Sequence, residues 1–332
     1  MTSQLSYDYS DGATSPGHLL LGRVRRGLAR QSLLILVATL LGAGLGVVSA
    51  VSEGAAIANA ALIWVPLGVG FALLVALAVE LTRNRITTPS NLRKYAGHQV
   101  LAAPPELTAR NLRTLPPDKR TPLGCLAFNP ASSFTSVFRE LQYAVGRDKA
   151  VAFVAAWPHD GATTVALCTA VSAAQQGRSV IILDCDLRRR TLSKSLGSTA
   201  TAGLLEACDR PDDWRDLVEE EDETGLHYLP AVRSSNPWRT LVGSPGFTAL
   251  VTSLRQSYDL VVLDCPPALS RADSGVIAGL ADRSVVVTAW DQTPLGAVRS
   301  VMQILQRHSS ASTDFCLNRV PAGYRYSPSL VD

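Results

Sequence analysis

The chain has 332 residues, enough for about two domains, with 47% hydrophobic and only 18% charged residues against a usual charged share of ~25%. That balance excludes a disordered tail protein and points to apolar residues concentrated somewhere. A net charge of +3 and the lack of any basic block exclude a nucleic-acid arm, so no nucleic-acid partner is expected. The six cysteines lie scattered, with no C-x-x-C and no His at zinc spacing. They read as reduced core residues of a cytosolic domain.

In chain order, residues 1–22 read as a flexible polar tail. A transmembrane hairpin is expected over 23–82, because no charge occurs from Gln31 to Ser52 or from Gly54 to Val79. About 20 helical residues cross the ~30 Å hydrocarbon core, so spans are placed at about 31–52 and 61–81. Arg23, Arg25, Arg26 and Arg30 precede the pair, Arg83, Arg85, Arg93 and Lys94 follow it, and the turn between holds only Glu53. The positive-inside rule then puts both termini of the membrane-spanning chain in the cytoplasm. Residues 83–121, with prolines at 89, 104, 105, 116 and 117, read as a membrane-proximal linker with one short helix near Asn91–Ala96.

From 122 to 321, short apolar runs alternate with amphipathic stretches. Strands are expected at Val151–Ala155, Ser179–Leu183, Leu260–Leu263, Ser284–Ala289 and Phe315–Leu317. Helices are expected at Phe134–Gly146, Thr163–Gln176, Phe247–Gln256, Ser274–Leu280 and Leu295–Gln306. Near-continuous apolar strands alternating with helices predict a doubly wound α/β domain with a mostly parallel sheet. The acidic run Glu219–Glu223 reads as a solvated surface loop, and 322–332 as a C-terminal tail.

Ligands of such folds sit at the carboxyl ends of the strands. After the first strand comes Ala156-Trp157-Pro158-His159-Asp160-Gly161-Ala162-Thr163-Thr164. Set against G-x-x-x-x-G-K-[ST], Gly161 and Thr163 match, but Ala156 replaces the first glycine and Ala162 the lysine. The next strand ends in Asp184-Cys185-Asp186, and another in Asp264-Cys265-Pro266-Pro267. Carboxylates at two strand ends behind a strand–loop–helix suit a Mg2+ shell beside phosphates.

These motifs, taken as an ordered set, make the chain resemble the bacterial tyrosine autokinases of capsule and exopolysaccharide synthesis, which are fused to or partnered with polysaccharide co-polymerases. The likeness runs from about Arg85 to Val320. It includes Thr88–Leu92, Val100–Pro104, Phe138–Leu141, Ile182–Arg189, Leu263–Pro267, Asn236-Pro237, Ser244-Pro245 and Leu317–Val320. The resemblance implies a P-loop fold of the MinD/ParA-like type that takes ATP and Mg2+. Asp160, Gly161, Ala162, Thr163 and Thr164 would form the phosphate loop. Thr163, Asp184 and Asp264 would hold the metal, and Asp184, Asp186 and Asp264 would arrange the metal and the incoming hydroxyl. Asn318 would lie near the adenine, and Tyr324 and Tyr326 would be phosphoacceptors. Implied partners are the co-polymerase, polymerase or export proteins of the same pathway and a second copy of the chain.

The departures decide the functional expectation. Ala162 removes the lysine, a change worth about 10²–10³ in rate by analogy with losing one preorganised donor. His159 stands where the family has glycine, the oligomerisation motif keeps only Arg139 between Ser136 and Gln142, and the turn between the spans is too short for a periplasmic chain-length domain. The expectation is a degenerate, membrane-anchored kinase-like subunit. The alternatives are an active tyrosine autokinase, with Arg188 or Arg189 replacing the lysine, and a MinD/ParA-like positioning ATPase, whose signature lysine would stand at Trp157.

Overall fold

Runs such as AVAFVA (β2, Ala150–Ala155), VIILD (β3, Val180–Asp184) and LVVLD (β6, Leu260–Asp264) are buried at every position. A strand covered on both faces can be apolar throughout, which is what central parallel strands require. Alternate residues feed opposite faces. Ala150, Ala152 and Val154 join one hydrophobic cluster, while Val151, Phe153 and Ala155 join the other.

The computed structural model describes residues 36, 37, 40, 41, 44, 48, 66–75, 85–88, 92, 98–233, 241, 243–271, 273–322 and 324. The chain divides into two compact units, Met1–Asn84 and Arg85–Asp332. In the first, residues 66–75 are helical, with Leu67, Phe71 and Leu74 exposed. Among the described residues no helix is long and apolar enough to cross a membrane. The expected spans at 31–52 and 61–81 lie mostly outside the described residues, as does the tail 1–22.

In the second unit, β1 (Val100–Ala102), β2, β3, β4 (Glu219–Glu221), β5 (Leu226–Leu229), β6, β7 (Arg283–Ala289) and β8 (Ser312–Asn318) form one sheet in the order β1-β8-β7-β2-β6-β3-β5-β4. Every pairing is parallel except β4 with β5. The helices are α1 (Ala109–Leu112), α2 (Pro122–Phe128), α3 (Ser133–Ala144), α4 (Ala162–Ala174), α5 (Thr191–Ser195), α6 (Leu204–Asp209), α7 (Pro245–Ser257), α8 (Asp273–Ala278) and α9 (Leu295–His308). All six cysteines are buried thiols without disulfides.

The structure corrects two expectations. The stretch 83–121 is not only a linker. Arg85 bridges to Pro294, and Val100–Ala102 pairs with β8 as an edge strand. The acidic run Glu219–Glu223 is not wholly a loop, since its first three residues form the antiparallel edge strand β4. A charged outermost strand resists pairing with another chain, so acidity and strand character agree there.

Candidate functional site

β6 lies between β2 and β3, and parallel register puts Asp184 and Asp264 side by side at the carboxyl ends of their strands. The loop from β2 to α4 opens beside them. The expected site residues 160–164, 184, 186 and 264 are therefore gathered at one end of the sheet by three strands.

The loop is held by its own residues. Asp160 Oδ2 accepts the Trp157 amide at 2.9 Å, and Oδ1 accepts the Thr293 hydroxyl at 2.7 Å. The Asp160 carbonyl accepts Asn318 Nδ2 at 2.9 Å. Burial raises the Asp160 carboxyl above its usual range, although the Thr293 and Trp157 bonds and the Arg319 charge oppose this. Gly161 follows at φ 94°, left-handed, and a Cβ there would collide with the Asn318 amide nitrogen. Glycine is required on both counts. The amides of Ala162, Thr163 and Thr164 then open α4, and first-turn amides have no intrahelical acceptor, which is the chemistry an anion needs. Ala162 itself is 7% exposed and brings no charge. Trp157, 44% exposed, and His159 lie on the outside of the loop.

The acidic side differs. Asp184 Oδ2 accepts the Ser193 amide at 2.9 Å and hydroxyl at 2.7 Å, and Oδ1 accepts the Asp186 amide at 3.2 Å. Burial still pushes Asp184 up to about 6, with Ser193 opposing and Asp186 assisting. Asp186 turns to cap the following turn, accepting the amides of Arg188 at 3.3 Å and Arg189 at 3.1 Å. Asp264 is 1% exposed, and neither of its oxygens has a hydrogen-bond partner. Burial, then the Asp184 charge, drive its carboxyl well above the ordinary range. The Thr163 hydroxyl lies beside it and favours the ionised form without reaching hydrogen-bond geometry. Two partnerless buried oxygens next to a second carboxylate and a hydroxyl are a hard-oxygen donor set, and they fit Mg2+.

Other expected residues are placed differently. Arg188 is exposed, and Arg189 Nε lies 3.9 Å from Asp186 Oδ2, so neither guanidinium is bound to the loop. The Asn318 amide is used in fastening the loop. Tyr324 stacks edge-on against Trp290 with ring centroids 4.9 Å apart, and Tyr326 lies outside the described residues. Sequence reasoning missed Thr293 and Ser193, single hydroxyls in no recognisable motif. It includes Arg319 in the Leu317–Val320 match but assigns it no role.

No profile of a known protein family matches the chain. The putative tyrosine-protein kinase EpsB of Ralstonia solanacearum is 26% identical over 275 residues, which are 78% of this chain and 36% of EpsB. The succinoglycan biosynthesis transport protein ExoP of Rhizobium meliloti is 26% identical over 182 residues, 52% of this chain and 23% of ExoP. The chain thus spans about a third of the one and a quarter of the other. The kinase domain of the Escherichia coli tyrosine kinase ETK superposes with a TM-score of 0.63 at 23% identity, covering 74% of this chain and 99% of that domain.

Proposed function

We propose that this chain, which is similar to bacterial tyrosine-protein kinases, is a membrane-anchored, kinase-like subunit that binds nucleotide and regulates exopolysaccharide polymerisation, chain length or export, with phosphoryl transfer weak or absent. The observation that carries this reading is the pairing of an intact acidic pole with an incomplete phosphate loop. Asp264 keeps two buried oxygens without partners, while Ala162 stands where a lysine would meet the phosphates. The polysaccharide pathway is supported by the likeness to ExoP. Anchoring is supported by the two uncharged runs and their arginine flanks.

In this reading Gly161 lets a phosphate approach the backbone, and the opening amides of α4 bind it. Asp160, Thr293 and Asn318 hold the loop in shape. Mg2+, when bound with nucleotide, would be held by Thr163, Asp184 and Asp264 and would offset phosphate charge. Ser193 fixes the Asp184 carboxylate. Calorimetry on the full chain in detergent should show Mg2+-dependent ATP or ADP binding with little phosphotyrosine. Undetectable binding would remove the nucleotide reading. Deletion that leaves the amount and length of surface polysaccharide unchanged would remove the pathway.

A second reading, an active tyrosine autokinase, is favoured by one placement. Tyr324 packs on Trp290, whose amide bonds the Asn318 carbonyl at 2.8 Å, at the site end of the sheet. Asp264-dependent phosphorylation of Tyr324 or Tyr326 would decide for it.

A further inference from the structure

Arg319 has a left-handed backbone, φ 59°, which a non-glycine residue adopts only when its surroundings enforce it. Here they do. Its amide donates to Asn318 Oδ1 at 2.9 Å while Asn318 Nδ2 holds the Asp160 carbonyl. On the other side, the Val320 amide bonds the Pro104 carbonyl at 3.0 Å and its carbonyl accepts the Glu106 amide at 2.9 Å. The bend turns the side chain toward the phosphate loop. Arg319 Nη2 lies 4.0 Å from the point where a Gly161 Cβ would be, on the bare face of that glycine. Among the described residues the guanidinium makes no hydrogen bond or ion pair. The Asp160 carboxylate feels its charge but already has the Trp157 and Thr293 donors.

We propose that Arg319 supplies the positive charge for a bound polyphosphate that residue 162 does not, reaching the loop from the end of β8. This rests on the nucleotide-binding reading above and names the side chain that makes it work. A guanidinium presents a planar fork of donors suited to phosphate oxygens, and a free one beside the N-terminus of a 13-residue helix adds to the same field.

The test is calorimetry of Mg·ATP and of Mg·tripolyphosphate on the full chain in detergent, comparing wild type, R319Q, R319K and R319Q/A162K. The expected result is a loss of at least tenfold in affinity for both probes in R319Q, a smaller loss in R319K, and recovery in R319Q/A162K, where the cation returns by another route. Equal ATP affinity in wild type and R319Q overturns the role of Arg319 and leaves nucleotide binding standing. Tripolyphosphate bound through Arg319 without ATP binding keeps Arg319 and removes the nucleotide. A loss that neither R319K nor A162K relieves marks a structural residue and overturns the proposal, as does wild type binding neither probe.

Discussion

At the end of β2 the polar groups of Asp160 are all engaged, by Trp157, Thr293 and Asn318, whereas at the end of β6 the two oxygens of Asp264 have no hydrogen-bond partner. The two poles of one site are thus built on opposite terms. The loop is stabilised from within and has lost its lysine. The acidic pole carries a buried, partnerless carboxylate beside another, an arrangement that costs folding free energy unless a cation joins it. On the function proposed above, the difference separates binding a metal–phosphate from moving a phosphoryl group, the open acidic pole supporting the first and the loop without a lysine weakening the second.

The strongest way to break this contrast is to repair the loop. If missing charge is what limits transfer, Ala162→Lys should raise the autophosphorylation rate about 10²–10³-fold, the converse of deleting one preorganised donor. Rates are read from labelled phosphate on the full chain. An unchanged rate would place the fault in the loop's shape, with His159 the first suspect.

Disarming the acidic pole comes next. Asp264→Asn should lower Mg2+-dependent nucleotide affinity about 10–100-fold, the usual scale for a change in a metal's surroundings. The same change should stabilise the ligand-free protein increasingly as the pH rises, by up to about 1–3 kcal/mol once the buried carboxyl is forced to ionise without partners. Calorimetry and thermal unfolding together check the opposed signs. A variant that both binds normally and melts earlier would refute the assignment.

Acid titrates the same pole more gently. Burial holds Asp184 at about 6, above its unfolded value near 4. The folded state therefore takes up a proton first as pH falls, and the ligand-free fold gains stability from this group between about pH 6 and 4. Ligand binding requires the ionised form, so Mg·ATP affinity should fall about tenfold per pH unit below 6. Stability and affinity thus move in opposite directions. Affinity that stays flat from pH 7 to pH 5 would exclude Asp184 from the metal's surroundings.

How much of this was legible in the sequence follows the range of the interactions. The central strands announce themselves because parallel strands covered on both faces are apolar without interruption. The edges do not. Val100–Ala102 is three residues long, and Glu219–Glu221 carries only carboxylates, so pairing rather than composition makes them strands. In the site, the spacing of Asp184, Asp186 and Asp264 was visible, since strand ends are local. Their different fates were not. Asp186 caps its own turn, Asp184 is bound by Ser193, and Asp264 is left bare. Arg319 sits 158 residues from Gly161 in sequence, and only the order β8-β7-β2, with the bend after β8, brings it close. The arginines beside the acidic motif, nearer in sequence, make other contacts or face solvent.

The smallest effect tests the loop's internal tie. Thr293 is fully buried, its hydroxyl donating to Asp160 Oδ1 at 2.7 Å and accepting the Ala289 amide at 2.8 Å. Thr293→Val preserves shape and removes both bonds, leaving a buried carboxylate oxygen and a buried N–H unmet. The expected cost is about 1–3 kcal/mol, read as a fall in Tm of roughly 2–4 °C per kcal/mol for a unit of this size. Thr293→Ser, which keeps the hydroxyl, should recover most of it. The loss should shrink as the pH falls, because burial raises the Asp160 carboxyl above its usual range and its protonation removes the charge that the bond serves. The Mg2+ dependence conferred by Asp264 should survive in Thr293→Val, because that pole shares no bond with this one. If Mg2+ dependence disappears with the hydroxyl, the two poles are mechanically one, and the division between a tied loop and an open acidic pole fails.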